Sequence, residues 1–151
     1  MKLDPQLSPC LIGRCRVSDF QEVIGLLRQL WPANNLDPVA LRKIFRRGLI
    51  SASQAYLCAR IEKQVVGFGS LTIKNNLWQE GYVAHIDELI VDRRFRKNGI
   101  GTLLLDRLIL SAKKRKCKRI ELDTAFRRKE AHSFYRAHGF ENRAFLFSKT
   151  L

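Results

Sequence analysis

Residues 96–101, Arg96-Lys97-Asn98-Gly99-Ile100-Gly101, stand between an apolar run and an amphipathic one, and this junction constrains the fold more than any other feature. The apolar run is residues 86–91, followed by a short charged turn; residues 102–116 then carry leucines at helical spacing. The order reads strand, glycine-containing basic loop, helix. Gly99 and Gly101 let the backbone turn tightly and approach a ligand with no Cβ in the way. The first amides of a helix lack intrahelical partners and carry partial positive charge. The segment is therefore expected to hold phosphate oxygens, with Arg96 and Lys97 strengthening the field.

Two common phosphate motifs are excluded. A Walker A loop needs Lys-Ser/Thr after its last glycine, and Gly101 is followed by Thr102-Leu103. A dinucleotide fingerprint needs a third glycine where Leu104 stands. What remains is Arg-x-x-Gly-x-Gly after a strand, and from Ile86 to Leu104 the chain resembles the GNAT superfamily of acyl-CoA-dependent N-acyltransferases. The resemblance implies acetyl-CoA as co-substrate, its pyrophosphate and pantetheine gripped by Arg96, Lys97, Asn98, Gly99, Ile100, Gly101 and Thr102. It also implies that backbone groups of Leu89, Ile90 and Val91 pair with the pantetheine arm, one amide holding the thioester oxygen.

At 151 residues, a single domain over 1–151 is the expectation, with 46% apolar and 28% charged residues reading as globular. No apolar run approaches a membrane span, and residues 1–11, with Lys2 and the breaks at Pro5 and Pro9, do not read as a signal peptide. Cys10, Cys15, Cys58 and Cys117 form no CxxC pair and no disulfide-dense pattern, so Cys58 reads as an ordinary buried thiol in a reduced, cytoplasmic setting. The net charge of +14 attracts anions. The basic clusters lack interleaved aromatic residues and no nucleic-acid motif appears, which argues against nucleic acid as the main partner.

Along the chain, residues 11–17 read as a strand. Ser18-Asp19-Phe20-Gln21 reads as a capping box opening a helix with Phe20, Val23, Ile24, Leu27 and Leu30 on its apolar stripe. Asp37-Pro38 caps a second helix to about Arg47, closed by Gly48. Residues 55–61 and 65–74 form a hairpin, 82–91 the central strand, 100–116 a long helix, 120–124 a short strand, 130–138 a helix and 144–149 a last strand. The order β-α-α-β-β-β-α-β-α-β is an α/β pattern with a mixed sheet. It follows the GNAT fold, which implies a mostly antiparallel twisted sheet flanked by about four helices.

Acyl transfer to an amine needs a base, an oxyanion site and an acid for the leaving thiolate, because a free alkylamine has a pKa of about 10.4. Tyr135 lies in Ala131-His132-Ser133-Phe134-Tyr135-Arg136-Ala137-His138-Gly139-Phe140, which resembles the second signature of the superfamily and implies the acid. Asp87 and Glu88 are two carboxylates in an otherwise apolar strand, costly unless exposed, paired or functional. In strict alternation they face opposite ways, and a bulge would break that register, so either can be the base, Glu88 being preferred. His85 is a second titratable group on that strand. His132 and His138, six residues apart on one helix, do not face each other, and no metal is expected. Arg128 stands where many members of the superfamily carry asparagine, a departure that leaves two readings: a contact to phosphate or an anionic substrate, or a solvated side chain beside Arg127 and Lys129.

Ala131-His132, Phe134-Tyr135, Gly139-Phe140 and Phe147-Ser148-Lys149 resemble small bacterial GNAT enzymes of the aminoalkylphosphonate N-acetyltransferase type. The resemblance implies direct transfer of acetyl to the primary amine of a small molecule, and a basic chain suits an anionic amine. The alternatives are acetylation of a protein lysine or amino terminus, or a non-catalytic module binding CoA or nucleic acid. The sequence leaves a homodimer open.

Overall fold

The hairpins read in the sequence assemble one sheet. The computed structural model describes residues 8–151, so the stretch carrying Lys2 and Pro5 lies outside the described residues. Two compact units are present, Met1–Glu121 and Leu122–Leu151.

In the first unit, β1 (Cys10–Arg14), β2 (Gln54–Ile61), β3 (Gln64–Asn76), β4 (Gly81–Val91) and β5 (Cys117–Leu122) lie in the sheet in chain order. The first three pairings, β1 to β2, β2 to β3 and β3 to β4, are antiparallel. The helix α3 (Ile100–Lys114) carries the chain from β4 to β5, a connection longer than a hairpin turn.

Helices α1 (Phe20–Leu30) and α2 (Pro38–Ile50) cover part of one face. Their core joins Phe20, Val23, Ile24 and Leu27 to Phe45, Phe68 and Ile90. On the other face α3 buries Leu104, Leu105 and Leu108 completely. Gly67 and Gly69 of β3 admit it: a Cβ on Gly67 would lie 2.9 Å from Leu104 Cδ1, and one on Gly69 3.0 Å from Leu108 Cδ1.

The capping box is replaced by a tighter device. A 3-10 turn, Val17–Asp19, precedes α1, and Asp19 Oδ2 accepts the backbone N–H of Arg16 at 2.6 Å. Asp19 is nearly buried and is held by Arg60 at 2.5 Å. In α2, Asp37 caps as expected, its Oδ1 accepting from Val39 and Ala40. Gly48 does not end that helix, which runs on to Ile50; Gly48 is instead where the helix passes over Tyr56.

Cys58 is not an ordinary thiol. Its sulfur is bonded to that of Cys15, with the Cα atoms 5.4 Å apart. Cys15 follows β1, and its N–H donates to Tyr56 O on β2, so strand pairing brings together cysteines 43 residues apart. No spacing motif encodes that approach.

The second unit contains α4 (Lys129–Ala137), closed by Gly139 at φ 83°. The expected strand over 144–149 does not form; residues 140–151 are irregular. Phe145, Leu146 and Phe147 are 77%, 70% and 91% exposed. A strand exists only through bonds to a neighbour, and apolar β-formers without one remain coil.

Candidate active site

The central observation is a bulge in β4. Ser70 pairs with Glu88 and the next residue, Leu71, with Ile86, so Asp87 has no counterpart on β3. One extra residue turns the following side chains over. Glu88 shares the face of Ser70, while Asp87 turns to Thr72, whose Oγ1 donates to Asp87 Oδ2 at 2.5 Å. Ser70 and Thr72 lie two apart on β3 and so on the same face. Both carboxylates therefore face the side covered by α1 and α2, which strict alternation forbids.

Their environments differ. Ser70, fully buried, donates its hydroxyl to Glu88 Oε2 and accepts the Glu88 N–H at 3.1 Å. Burial pushes the Glu88 carboxyl above its ordinary range, as does the charge of Asp87, against the Ser70 bond and His85. For Asp87, burial also acts upward but is outweighed by hydrogen bonds from His85 and Thr72 and by the charges of His85 and Lys74, so its pKa is lowered. His85 Nδ1 lies 3.0 Å from Asp87 Oδ1. Two adjacent carboxylates are thus driven apart in pKa, the arrangement that separates a proton acceptor from a fixed charge.

Toward its end, β4 presents backbone. The Asp92 N–H donates to Val66 O at 2.8 Å, and Ile90 is opposite Phe68. Alternation then turns the amides of Leu89 and Val91 away from β3. The Val91 carbonyl accepts from Arg96 Nε at 2.9 Å, so this guanidinium is tied to the strand end.

The loop is shaped by local bonds. Asp92 Oδ1 accepts the Arg94 N–H, and Asp92 Oδ2 is 2.9 Å from Arg94 Nη2. Asn98 Nδ2 donates to the carbonyls of Phe95 and Arg96, drawing the chain into a tight curve. Lys97 and Gly99 take φ of 64° and 76°. The first bond of α3 runs from the Leu103 N–H to Gly99 O, so the amides of Ile100 and Gly101, with Thr102 following, open the helix. Nothing lies within 4 Å of a Cβ built on Gly99. The residues present fit an anionic phosphate group: helix-end amides, a loop with room for approach, and the cations Arg96 and Lys97. Since Gly99→Ala meets no clash, its cost is the left-handed backbone alone, about 1–2 kcal/mol. Urea unfolding should show that loss, and asparagine should recover part of it.

In the second unit, Tyr135 sits among aromatic rings, 5.3 Å from Phe134 and 5.5 Å from Phe140 by ring centres. Burial pushes its phenol up to about 12, with the Arg128 charge pulling the other way. Arg128, at the amino end of α4, and Tyr135 thus share one electrostatic neighbourhood. The histidines serve the backbone: His132 Nε2 is 2.9 Å from Ala125 O, and His138 Nδ1 is 2.7 Å from Phe134 O. Elsewhere, the donor atoms of Cys15, Asp19 and Cys58 gather within 4.8 Å, but the sulfurs are joined and Asp19 is held by Arg60.

Ser70 and Thr72 are missed by sequence reading. Each looks like an ordinary polar residue in a strand, and only the register places it under a carboxylate.

The sequence model of the Acetyltransferase (GNAT) family matches residues 20–140. The aminoalkylphosphonate N-acetyltransferase of Salmonella typhimurium is 30% identical over 142 residues, covering 94% of this chain and 92% of that protein. Among solved structures, a transcriptional regulator from Bacillus halodurans superposes with a TM-score of 0.86 at 22% identity, covering 95% of this chain and 100% of the other. The glucosamine-6-phosphate N-acetyltransferase of Arabidopsis thaliana gives 0.81 at 24% identity, covering 95% and 99%. Both structures share the fold.

Proposed function

The chain belongs to the GNAT acetyltransferase family, and from that premise we propose that it moves an acetyl group from acetyl-CoA to the primary amine of a small molecule. The observation that carries this reading is the β4 bulge, which turns Glu88 and Asp87 to one face with opposite pKa shifts. Acetyl-CoA supplies the activated acetyl thioester. Arg96, Lys97 and the amides opening α3 bind its phosphates, and the Leu89 or Val91 N–H donates to the thioester oxygen as negative charge develops there.

An alkylammonium gives up its proton only to a base held beside it. Glu88, with its raised pKa, takes that proton; Asp87 stays ionised and holds His85. The amine nitrogen then bonds to the acetyl carbon as the carbon–sulfur bond breaks. Tyr135 donates its phenolic proton to the departing sulfur, and the phenol is restored by the proton the amide nitrogen releases through solvent. Cys15 and Cys58 are bonded to each other, and burial raises the pKa of the free thiols Cys10 and Cys117, which disfavours the thiolate an acyl carrier needs; the reading is direct transfer.

An anionic amine suits this chain. The net charge of +14 attracts anions. The similarity to an aminoalkylphosphonate N-acetyltransferase supports the same class. We read residues 1–151 as one N-acetyltransferase domain; among the described residues no helix is long and apolar enough to cross a membrane. Thiol release from acetyl-CoA should be measured with aminoalkylphosphonates, polyamines, aminoglycosides, amino acids and a histone-like peptide. Turnover of an aminoalkylphosphonate above the rest is the expected result. Turnover confined to the peptide would overturn the small-molecule reading.

A further inference from the structure

Tyr56 occupies a position that the catalytic scheme leaves unused. On β2 it pairs with Ser70 of β3, which pairs with Glu88 of β4. Directly opposed residues of antiparallel strands project to the same face, so Tyr56, Ser70 and Glu88 form one row across three strands. Ser70 spends its hydroxyl on Glu88. The phenol at the far end of the row makes no hydrogen bond among the described residues, although it is half-buried.

Its position is tightly set. The ring stacks on Phe45 at 5.6 Å and meets the edge of Phe68 at 5.6 Å. Above it passes Gly48 of α2, where a Cβ would lie 2.2 Å from both the ring carbon bearing the hydroxyl and the oxygen. Gly48 lies in a helix with no left-handed φ, so its own backbone does not require glycine. Glycine in a helix interior costs about 1 kcal/mol relative to alanine. The Tyr56 hydroxyl occupies the space a side chain would fill. Burial, then the negative charges of Glu88 and Asp87, raise its pKa, so the group remains an O–H near neutrality.

We infer that Tyr56 orients the substrate in the acceptor site, its phenol oxygen taking a hydrogen bond from the amine that Glu88 deprotonates. The inference rests on the acetyl-transfer reading for its reaction, but its geometry does not. A primary ammonium has three N–H groups: one goes to Glu88 and a second to Tyr56, which orients the lone pair left behind. The carboxylates alone would leave the amine free to rotate about its hydrogen bond. A fixed second acceptor removes that freedom and holds the lone pair toward the thioester carbon.

The test uses Tyr56→Phe, Gly48→Ala and the double variant. Binding of 2-aminoethylphosphonate and of spermidine to each protein is measured calorimetrically with CoA present, beside thiol release. Tyr56→Phe should weaken binding of the preferred amine about 10-fold, the loss of one hydrogen bond to a charged group. Affinity for CoA should not change. Gly48→Ala, which must push the phenol aside, should act in the same direction, and the double variant should be no worse than the poorer single one.

Unchanged amine affinity in Tyr56→Phe at wild-type melting temperature overturns the inference, as does an equal loss of CoA affinity. Loss of amine affinity in Tyr56→Phe, beside a wild type that binds but turns over no amine, would sustain Tyr56 and sink acetyl transfer. A wild type that binds neither amine overturns both.

Discussion

Glu88→Gln should lower kcat/KM for the amine by about 10²–10⁴-fold, the range over which a positioned general base contributes. Glutamine keeps the size of the side chain and can still accept from Ser70, so the cross-strand contact survives while the proton acceptor is lost. CoA affinity should be unchanged, because the phosphate loop begins beyond Asp92. The wild-type acid limb should lie above the ordinary carboxylate range, since burial and Asp87 raise the Glu88 pKa; the variant should lose that limb. Stability gives a control of opposite sign. A carboxyl whose folded pKa is raised favours folding below its unfolded pKa and loses that contribution as pH rises through the folded value. Glu88→Gln should therefore gain thermal stability over wild type as pH rises from about 4 toward neutrality. Calorimetric scans across that window check it. Lost activity with gained stability cannot come from misfolding, whereas activity retained within a factor of a few would move the base to Asp87 or His85.

Tyr135→Phe should lower kcat about 10²-fold or more, with kcat/KM for acetyl-CoA falling in parallel. The two rings packed on Tyr135 at 5.3 Å and 5.5 Å remain packed on phenylalanine, so unfolding free energy should move by less than about 1 kcal/mol. With its phenol near 12, Tyr135 holds its proton throughout the working pH range and yields it only to a strongly basic partner such as a leaving thiolate. The alkaline limb should accordingly show no ionisation of Tyr135 below about pH 11. A poor leaving group needs the acid most, so the defect should shrink with an acyl donor whose thiol has a lower pKa. An undiminished kcat, or a defect independent of the leaving thiol, would remove Tyr135 from the chemistry.

Both residues lie in segments that the sequence singles out, yet the reason to prefer Glu88 to Asp87 does not. Strict alternation places them on opposite faces, and one extra residue opposite Ser70 and Leu71 overrides it. A bulge is a property of two paired strands, so no reading of residues 81–91 alone can place it. The same reason separates Tyr56 from other strand aromatics: its neighbours Gly48 and Ser70 come from different elements.

Local chemistry sufficed where a feature depends on nearby residues. The strand, loop and helix from Ile86 onward follow from apolar alternation, two glycines and leucines at helical spacing, because backbone preference and side-chain period act within a few residues. The Asp37-Pro38 cap is legible for the same reason. Tertiary structure decided what depends on partners far along the chain. It bonded Cys15 to Cys58 across 43 residues, continued α2 through Gly48 over a tyrosine, and left residues 144–149 without the neighbour a strand requires. It also turned two carboxylates to one face and gave them different proton affinities, since burial and register exist only once the strands have paired.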